Sequence, residues 1–322
     1  MNAMPPQSTP TAPPRLALTV APLQYWWPRE RMLAFYAEVA DSAADTVVLG
    51  EVVCARRREL KLADWLALAR ELRGAGKEVL LATPTLVMGE ADVRLVRELA
   101  QQREFALEAG DASALGVLVQ AGDLAFALGP HLNIYSQEAL REHAVLGATH
   151  WCAPAELALG AVSRINPAHA PVPGRDGPLA TEVWAFGRLP LAFSARCFTA
   201  RHHGLTKDTC DFRCRDDADG MTVRSGDGRE FLCLNGTQVQ SAGVHALLET
   251  PSALRAAGIG RLRLAPTSSG FARVVGLFDA LVRDALPPAA ARDALRELDL
   301  PGELIDGFAR ARAGMEAIAE EA

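Results

Sequence analysis

Short apolar runs alternate with longer amphipathic segments along most of the chain. The apolar runs predict eight strands, at residues 16–21, 46–50, 78–83, 105–108, 125–128, 149–152, 181–186 and 261–264. Between them, apolar residues recur at helical spacing and predict helices at residues 29–42, 62–74, 91–101, 112–120, 137–147 and 156–165. Strands that alternate with helices of this length indicate βα units around a parallel sheet.

Eight βα units are enough to close a barrel of the (β/α) type, which typically takes about 250 residues plus insertions. The chain has 322 residues and accommodates one such barrel with additions. An open, doubly wound sheet is the alternative. No Gly-x-Gly-x-x-Gly motif follows the first predicted strand, which weakens a dinucleotide-binding version of that alternative. We therefore predict an α/β fold with a TIM-like (β/α) barrel.

Composition divides the chain into three parts. Residues 1–14 are rich in Pro, Thr and Ser and predict a disordered tail. Residues 15–288 form the predicted barrel domain, which includes a polar, cysteine-bearing insertion at 194–241 that looks poor in strands apart from 230–234. Residues 289–322 predict two further helices, broken at Pro301 and Gly302.

The overall charge and hydropathy exclude several classes of protein. A formal net charge of −6 argues against a protein that coats nucleic acid. No apolar run reaches the roughly 20 residues that span a bilayer, and residues 1–14 lack the apolar core of a signal peptide. We therefore expect no transmembrane segment and a cytoplasmic location. Thiols stay reduced in that compartment, so clustered cysteines are expected to be metal ligands or catalysts.

Three of the six cysteines lie in the polar insertion, with the spacing Cys197-x12-Cys210-x3-Cys214. The stretch around Cys210 and Cys214 is charged, whereas a core cysteine normally lies in an apolar run. Structural zinc sites usually contain paired Cys-x2-4-Cys knuckles, and only Cys210 and Cys214 approach that pattern. A [4Fe–4S] cluster tolerates less regular spacing, so the pattern favours iron–sulfur over zinc slightly and leaves both open.

A fourth ligand has to come from another part of the chain. Cys54 follows the second predicted strand and Cys197 follows the seventh, so both are expected at the barrel face where active sites are built. Cys152 also lies near a strand end, but packing beside Trp151 explains it equally well. Cys233 lies within an apolar run and is expected to be buried in a strand. Polarity and position therefore favour Cys54 as the fourth ligand.

Two further stretches accompany these cysteines. Residues 50–54 read Gly-Glu-Val-Val-Cys and are followed by an Arg-Arg-Arg run at 56–58, and residues 187–201 contain Ser-Ala-Arg-Cys-Phe-Thr around Cys197. With Asp64-Trp65 and the spacing to Cys210 and Cys214, they resemble the UbiV-like proteins of the collagenase-like peptidase family. The resemblance extends from about Leu16 to the last barrel strand.

This resemblance implies properties that the spacing does not give. Such proteins carry a [4Fe–4S] cluster, whose ligands match Cys54, Cys197, Cys210 and Cys214. They act in oxygen-independent ubiquinone biosynthesis as heterodimers with a UbiU-like cluster protein, accompanied by a UbiT-like lipid-binding protein. The pair hydroxylates the ring of a quinone precursor, with prephenate as the expected oxygen donor. Two alternatives stay open: a scaffold subunit with a structural cluster, and a zinc-stabilised hydrolase.

Other polar residues are expected at the mouth of the barrel. Glu51, Glu108, Asn133 and Tyr135 follow or end predicted strands and are candidates for binding a polar substrate. Helix capping or pairing with nearby arginines is the alternative, and N-capping is favoured for Asp111. A cysteine protease needs a thiolate beside a histidine. Cys197 is already assigned to the cluster, and His202 and His203 are expected in solvent.

Overall fold

The computed structural model describes residues 15–316, so the predicted tail at 1–14 lies outside the described residues. In this range the strands are β1 (Ala17–Val20), β2 (Thr46–Leu49), β3 (Glu78–Ala82), β4 (Ala106–Ala109), β5 (Phe126–Leu128), β6 (Ala148–Cys152), β7 (Pro173–Gly174), β8 (Gly177–Pro178), β9 (Ala180–Gly187), β10 (Pro190–Phe193), β11 (Met221–Arg224), β12 (Glu230–Asn235), β13 (Gln238–Ser241), β14 (Val244–Ala246), β15 (Ile259–Leu264) and β16 (Leu304–Ile305). The helices are α1 (Arg29–Asp41), α2 (Leu62–Gly74), α3 (Glu90–Gln101), α4 (Ala112–Ala121), α5 (Gln137–Ala144), α6 (Leu159–Ile165), α7 (Phe198–His202), α8 (Pro251–Ala256), α9 (Phe271–Val282) and α10 (Pro288–Arg296).

Eight of these strands close into a parallel barrel, which confirms the predicted fold. The order is β15-β1-β2-β3-β4-β5-β6-β9, and β9 pairs in parallel with β15 to complete the ring. The eight predicted strands are these eight, with ends that differ by one or two residues. Helices on the outside bury one apolar stripe each against the strands; α2, for example, buries Trp65, Leu68, Ala69 and Leu72.

Inside the barrel, an arginine lies between two carboxylates. The Arg263 guanidinium donates from Nη1 to Glu108 at 3.0 Å and from Nε to Glu182 at 2.9 Å. All three side chains are at most 5% exposed. Glu108 was a candidate for the open mouth, but it is committed to an ion pair within the barrel. The prediction failed because its partner, Arg263, is 155 residues away in sequence.

The cysteine-bearing insertion is not poor in strands. Within the described residues it carries three strands, which form an antiparallel sheet with the preceding β10 in the order β10-β13-β12-β11. One face of this sheet buries Asn235, Gln238 and Gln240, whose amides donate to the backbone and side-chain oxygens of Gln24. Gln24 follows β1, so the sheet covers the end of the barrel at which the strands terminate. The buried residues are polar, which hid these strands from a search for apolar runs.

The last part of the chain differs from the expected pair of helices. Helix α10 forms, but after Pro301 the described chain makes the short strand β16 and a single 3-10 turn at Phe308–Arg310. β16 pairs in parallel with β14, which itself lies antiparallel to β9. Pairing with an exposed strand edge therefore overrides the helical spacing. Among the described residues, no helix combines the length and apolarity needed to cross a membrane.

Candidate metal centre at the carboxyl ends of the strands

Contacts made by the four predicted cysteines bring them to one region beside the end of β2. Cys54 lies in the loop after β2, and the Cys197 side chain caps α7. The Cys214 thiol is close enough to Cys54 and Cys197 for their charges to raise its pKa, although burial raises it more. The Arg56 side chain, two residues after Cys54, reaches the sulfur of Cys210. Residues that the sequence separates by up to 160 positions therefore lie in one region, with Cys214 within electrostatic range of Cys54 and Cys197.

N–H groups and positive charge lie beside the four sulfurs. The backbone N–H of Ala200 donates to Cys197 at 3.4 Å, and Arg56 Nη1 donates to Cys210 at 3.5 Å. The backbone N–H of Arg56 and the charge of Arg57 act to lower the pKa of Cys54, and Arg57 acts in the same direction on Cys214. Burial outweighs them and leaves the pKa of both thiols raised.

The other two cysteines donate hydrogen bonds instead of accepting them. Cys233 and Cys152 are completely buried, and their thiols donate to the carbonyl oxygens of Asp219 and Ala153. Burial raises the pKa of Cys233 to about 11 and that of Cys152 well above its ordinary value. Both are therefore suited to remain neutral thiols. This agrees with the expected burial of Cys233 in a strand.

Arg57 connects the cysteine loop to the insertion sheet. Its side chain is 2% exposed. Nη1 donates to the backbone oxygen of Gln24 and Nη2 to Oδ1 of Asn235, both at 2.7 Å. Nε is buried and makes no hydrogen bond that meets geometric criteria in the described chain. The guanidinium lies between Glu51, at 4.0 Å, and Cys214, and so supplies a buried positive charge beside the thiols.

The turn between Cys210 and Cys214 adopts an unusual backbone conformation. Asp211 and Phe212 have φ angles of 47° and 52°, in the left-handed region that non-glycine residues rarely enter. The Phe212 ring packs edge-on against Trp26 with centroids 4.2 Å apart, and the Arg56 and Arg215 guanidinium groups lie near its face. This aromatic contact anchors the strained turn between the two cysteines.

We expect Phe212→Ala to loosen this turn. Loss of the contact with Trp26 removes about 0.5–1.5 kcal/mol beyond the buried area, while the strain of the left-handed residues remains. Trypsin should therefore cleave at Arg213 or Arg215 roughly tenfold faster than in the parent protein. Phe231→Ala is the control, because Phe231 lies in the same insertion but is 49% exposed. Equal cleavage rates for the parent and Phe212→Ala would contradict the anchoring role.

Four cysteine sulfurs are the donor set of several kinds of metal centre. Among residues 15–316, no group of three or more His, Cys, Asp or Glu side chains is arranged to hold a metal ion. In a [4Fe–4S] cluster each thiolate binds a different iron, so the sulfurs of such a site do not crowd one ion. The donor types here, cysteine sulfurs with N–H groups and two arginines beside them, suit that chemistry, since a thiolate-bound cluster carries negative charge.

The remaining predicted site residues are distributed differently. Glu51 lies beside the cysteine loop, where Oε1 accepts hydrogen bonds from the backbone N–H groups of Val53 at 2.9 Å and Cys54 at 3.0 Å. Gly50, with φ 137°, allows the chain to turn there, because a Cβ would meet the oxygen of Ala82 at 2.9 Å. Asn133 and Tyr135 are exposed, and the Tyr135 hydroxyl donates to Glu156.

Two further expectations concern capping and the histidines. Asp111 caps α4, with its carboxylate accepting from the N–H of Ser113, as predicted. His202 and His203 are exposed at the end of α7. Within residues 15–316 no hydrogen bond joins a histidine ring to a cysteine.

Sequence reasoning missed a cavity of about 370 Å³ beside the cysteine loop. It lies between α2 and α3 at the carboxyl ends of β2 and β3, and Glu51 forms part of its wall. The apolar part of its lining comes from one side of α2 and one side of α3. In the sequence, leucines at this spacing predict only packing in the core, so they do not reveal a cavity. Arg57, Phe212 and Trp26 were likewise missed as site residues. The Trp26-Trp27 pair directly after the first strand was a signal for an aromatic contact at this face.

Comparison with known proteins identifies the family. Solved structures with a similar course of the chain include the U32 peptidase Mk0906, at 13% identity and a TM-score of 0.43 over 81% of this chain and 96% of that one. The Bacillus megaterium spore cortex-lytic enzyme SleL is 10% identical, with a TM-score of 0.41 over 85% of this chain and 76% of that one. The model of peptidase family U32 matches residues 32–295, well over half of the chain. The chain therefore belongs to peptidase family U32, the collagenase-like family.

Proposed function

We propose that this protein is an iron–sulfur subunit of an oxygen-independent aromatic-ring hydroxylase of ubiquinone biosynthesis. The cluster is a [4Fe–4S] centre held by Cys54, Cys197, Cys210 and Cys214. The observation that carries the proposal is the placement of N–H groups and positive charge: the sulfurs of Cys197 and Cys210 accept from N–H groups and Arg57 lies beside Cys54 and Cys214, whereas the thiols of Cys152 and Cys233 donate to carbonyls. At Cys54 and Cys214 the positive charge of Arg57 opposes the burial that raises the pKa of both thiols.

The residues around the thiols would perform three tasks. Arg56 and Arg57 offset the negative charge of the thiolates, and their N–H groups adjust the reduction potential. The anchored Phe212 turn presents Cys210 and Cys214 together. A bound cluster would supply one-electron transfer; because four cysteines fill its iron positions, electron transfer suits the donor set better than Lewis-acid catalysis.

The ubiquinone pathway and the partners come from the resemblance in sequence. On that basis the protein acts as a heterodimer with a UbiU-like cluster protein, assisted by a UbiT-like lipid-binding protein, on a quinone precursor with prephenate as oxygen donor. Co-expression with such a partner should yield a complex of one copy of each chain. A protein that stays uncomplexed in the partner's presence would contradict this arrangement.

Metal analysis of protein purified without oxygen tests the cluster. We expect a brown protein with broad visible absorption and roughly four irons per chain. Cys210→Ala should lose the iron and the colour, because it removes one thiolate ligand. Cys233→Ala is the matched control and should keep both, since Cys233 is fully buried within β12 and its thiol donates to the carbonyl of Asp219. Iron that survives in Cys210→Ala would disprove the assigned ligand set.

A zinc-stabilised hydrolase is the second candidate, favoured by the membership in a peptidase family. The same preparation separates the two candidates, since a colourless protein with zinc in place of iron would support the hydrolase. Ubiquinone synthesis in cells distinguishes a structural cluster in a scaffold subunit from a cluster that takes part in the reaction. If anaerobic cells with the cluster-free Cys210→Ala variant still make ubiquinone, the cluster has no part in the reaction.

A further inference from the structure

The cavity between α2 and α3 has the walls of a small-molecule site. Its volume of about 370 Å³ falls within the range of roughly 300–1,000 Å³ that is usual for ligand pockets. The walls are mostly apolar, and the large side chains among them are Leu49, Leu60, Leu62, Trp65, Leu81, Leu95 and Leu99. The strand ends form its inner part, and exposed residues of α3, such as Arg94, form its rim.

The volume and the apolar walls of the cavity favour a mostly apolar ligand that contains a ring. A cavity of about 150 Å³ lined by aliphatic and aromatic side chains is large enough to bind benzene. The present cavity therefore has room for an aromatic ring with a substituent of several carbons. Trp65 offers an aromatic surface against which such a ring can pack. A purely polar metabolite would lose hydration against the leucines and Trp65, although charged residues such as Arg58 and Lys61 also line the cavity.

One polar group in the inner wall is incompletely satisfied. Oε1 of Glu51 accepts from the N–H groups of Val53 and Cys54. Its other oxygen, Oε2, has no hydrogen-bond partner among residues 15–316. A carboxylate oxygen at the inner end of an apolar cavity is an acceptor for a ligand hydroxyl. The same carboxylate holds the backbone of Cys54, so a ligand bound there would lie next to the cysteine loop.

We propose that the α2–α3 cavity binds a hydroxylated aromatic ring with a short alkyl substituent, its hydroxyl donating to Oε2 of Glu51. The identification of this ring as the one that is hydroxylated rests on the proposed function. The binding itself rests on the cavity. Neither Cys197, Cys210 nor Cys214 contributes to the lining, so the cavity is expected to persist without a cluster.

Calorimetric titration with 2-pentylphenol and with pentylbenzene tests this assignment. The phenol should bind, and the hydrocarbon should bind roughly tenfold more weakly because it lacks the hydroxyl. In Glu51→Gln the oxygen that caps the loop is retained and Oε2 becomes an amide donor. The phenol should then lose roughly tenfold in affinity, while the affinity for pentylbenzene should stay unchanged.

Two variants that fill the cavity provide a second measurement. Leu95→Trp and Ala91→Phe place a larger side chain in the lining and should abolish binding of both compounds. Arg97→Trp is the control, because Arg97 lies on the same helix, is 55% exposed and is absent from the lining. Thermal unfolding of each variant shows whether it folds. Ala91 is exposed, so Ala91→Phe should fold even if Leu95→Trp does not.

The outcomes separate this proposal from the cluster. Binding of 2-pentylphenol by Cys210→Ala, which is expected to lack iron, supports a cavity that is independent of the cluster. Failure of the parent protein to bind the phenol at millimolar concentration would overturn the cavity proposal even if the protein contains four irons. Unchanged affinity in Glu51→Gln and Ala91→Phe would overturn it as well. An iron-free parent protein that binds the phenol would refute the cluster and leave the cavity proposal intact.

Discussion

Replacing Arg263 by leucine should destabilise the folded protein by about 3–5 kcal/mol or more. The change removes the one cation that lies between Glu108 and Glu182 inside the barrel. Both carboxylates are almost completely buried, so water cannot take the place of the guanidinium. A buried charge without its partner incurs its full desolvation penalty. Urea unfolding at pH 7 measures the loss as a shift of the midpoint at constant slope.

The loss of stability in Arg263→Leu should become smaller as the pH falls. In the parent protein burial opposes the ionisation of Glu182, but the charge of Arg263 outweighs it and lowers the pKa from 4.5 to about 2. Its stabilising contribution is therefore complete above pH 4.5 and is lost as the pH falls from 4.5 towards 2. In Arg263→Leu the burial of Glu182 is opposed only by weaker effects, such as those of His150 and Arg261, so the pKa of this carboxyl rises and the variant gains stability on acidification. The difference between the two proteins should shrink between pH 7 and pH 4.

Arg261→Leu is the matched control on the same strand. Arg261 pairs with Glu78 at 2.7 Å at the other end of β15, and Glu78 is 52% exposed. Ion pairs in contact with water contribute less than about 1 kcal/mol, so this variant should unfold close to the parent midpoint. Similar losses for the two variants would show that the interior arginine has no special role. A loss of stability in Arg263→Leu that is the same at pH 7 and pH 4 would also contradict this explanation.

The barrel could be predicted from the sequence because its strands are buried on both faces. Such strands form short, continuous apolar runs, as in the fully buried β2. The charged residues inside the barrel did not obscure this signal, since Glu108 lies among apolar residues of β4 and Arg263 lies between two leucines of β15. Their pairing could not be predicted, because it depends on which strands become neighbours when the ring closes.

The insertion and the chain end could not be predicted for a related reason. β13 reads Gln-Val-Gln-Ser, and its buried face is made of the glutamines that bind Gln24. A buried polar face is stable only when its hydrogen bonds are satisfied, and the partner here is more than 200 residues away. β16 likewise exists because β14 offers it an edge. Local spacing carries no information about either partner.

The site was predicted in part. The cysteines were recognisable because thiols in a charged segment have few other uses, and Cys54, Cys197 and Cys214 do lie near one another. In the sequence, Arg57 is only one member of the arginine run at 56–58. Nothing in that run distinguishes it from its neighbours, although Arg57 is buried while Arg58 is exposed. The difference follows from Gln24 and Asn235, which lie 33 and 178 residues away.

Arg57→Met should be the most damaging single change near the cysteines outside the thiols themselves. Methionine keeps an unbranched apolar stem but removes the donors to the Gln24 carbonyl and to Oδ1 of Asn235. Each hydrogen bond from a charged group contributes about 1.5–3 kcal/mol, so we expect a loss of about 3 kcal/mol in the free energy of unfolding. Urea unfolding of the metal-free protein measures this loss of stability without any contribution from metal binding.

The same change should affect metal retention through a separate route. Arg57 is the buried cation beside Cys214, and without it four thiolates would have to gather with less positive charge to offset their repulsion. Anaerobically prepared Arg57→Met should therefore contain fewer irons per chain than the parent, and lose them faster to a chelator. Arg70→Met is the control: Arg70 is 54% exposed on α2 and pairs with Glu104, away from the cysteines. If Arg57→Met keeps the parent's iron content and unfolding midpoint, the buried arginine neither supports the insertion sheet nor balances the charge of the thiolates.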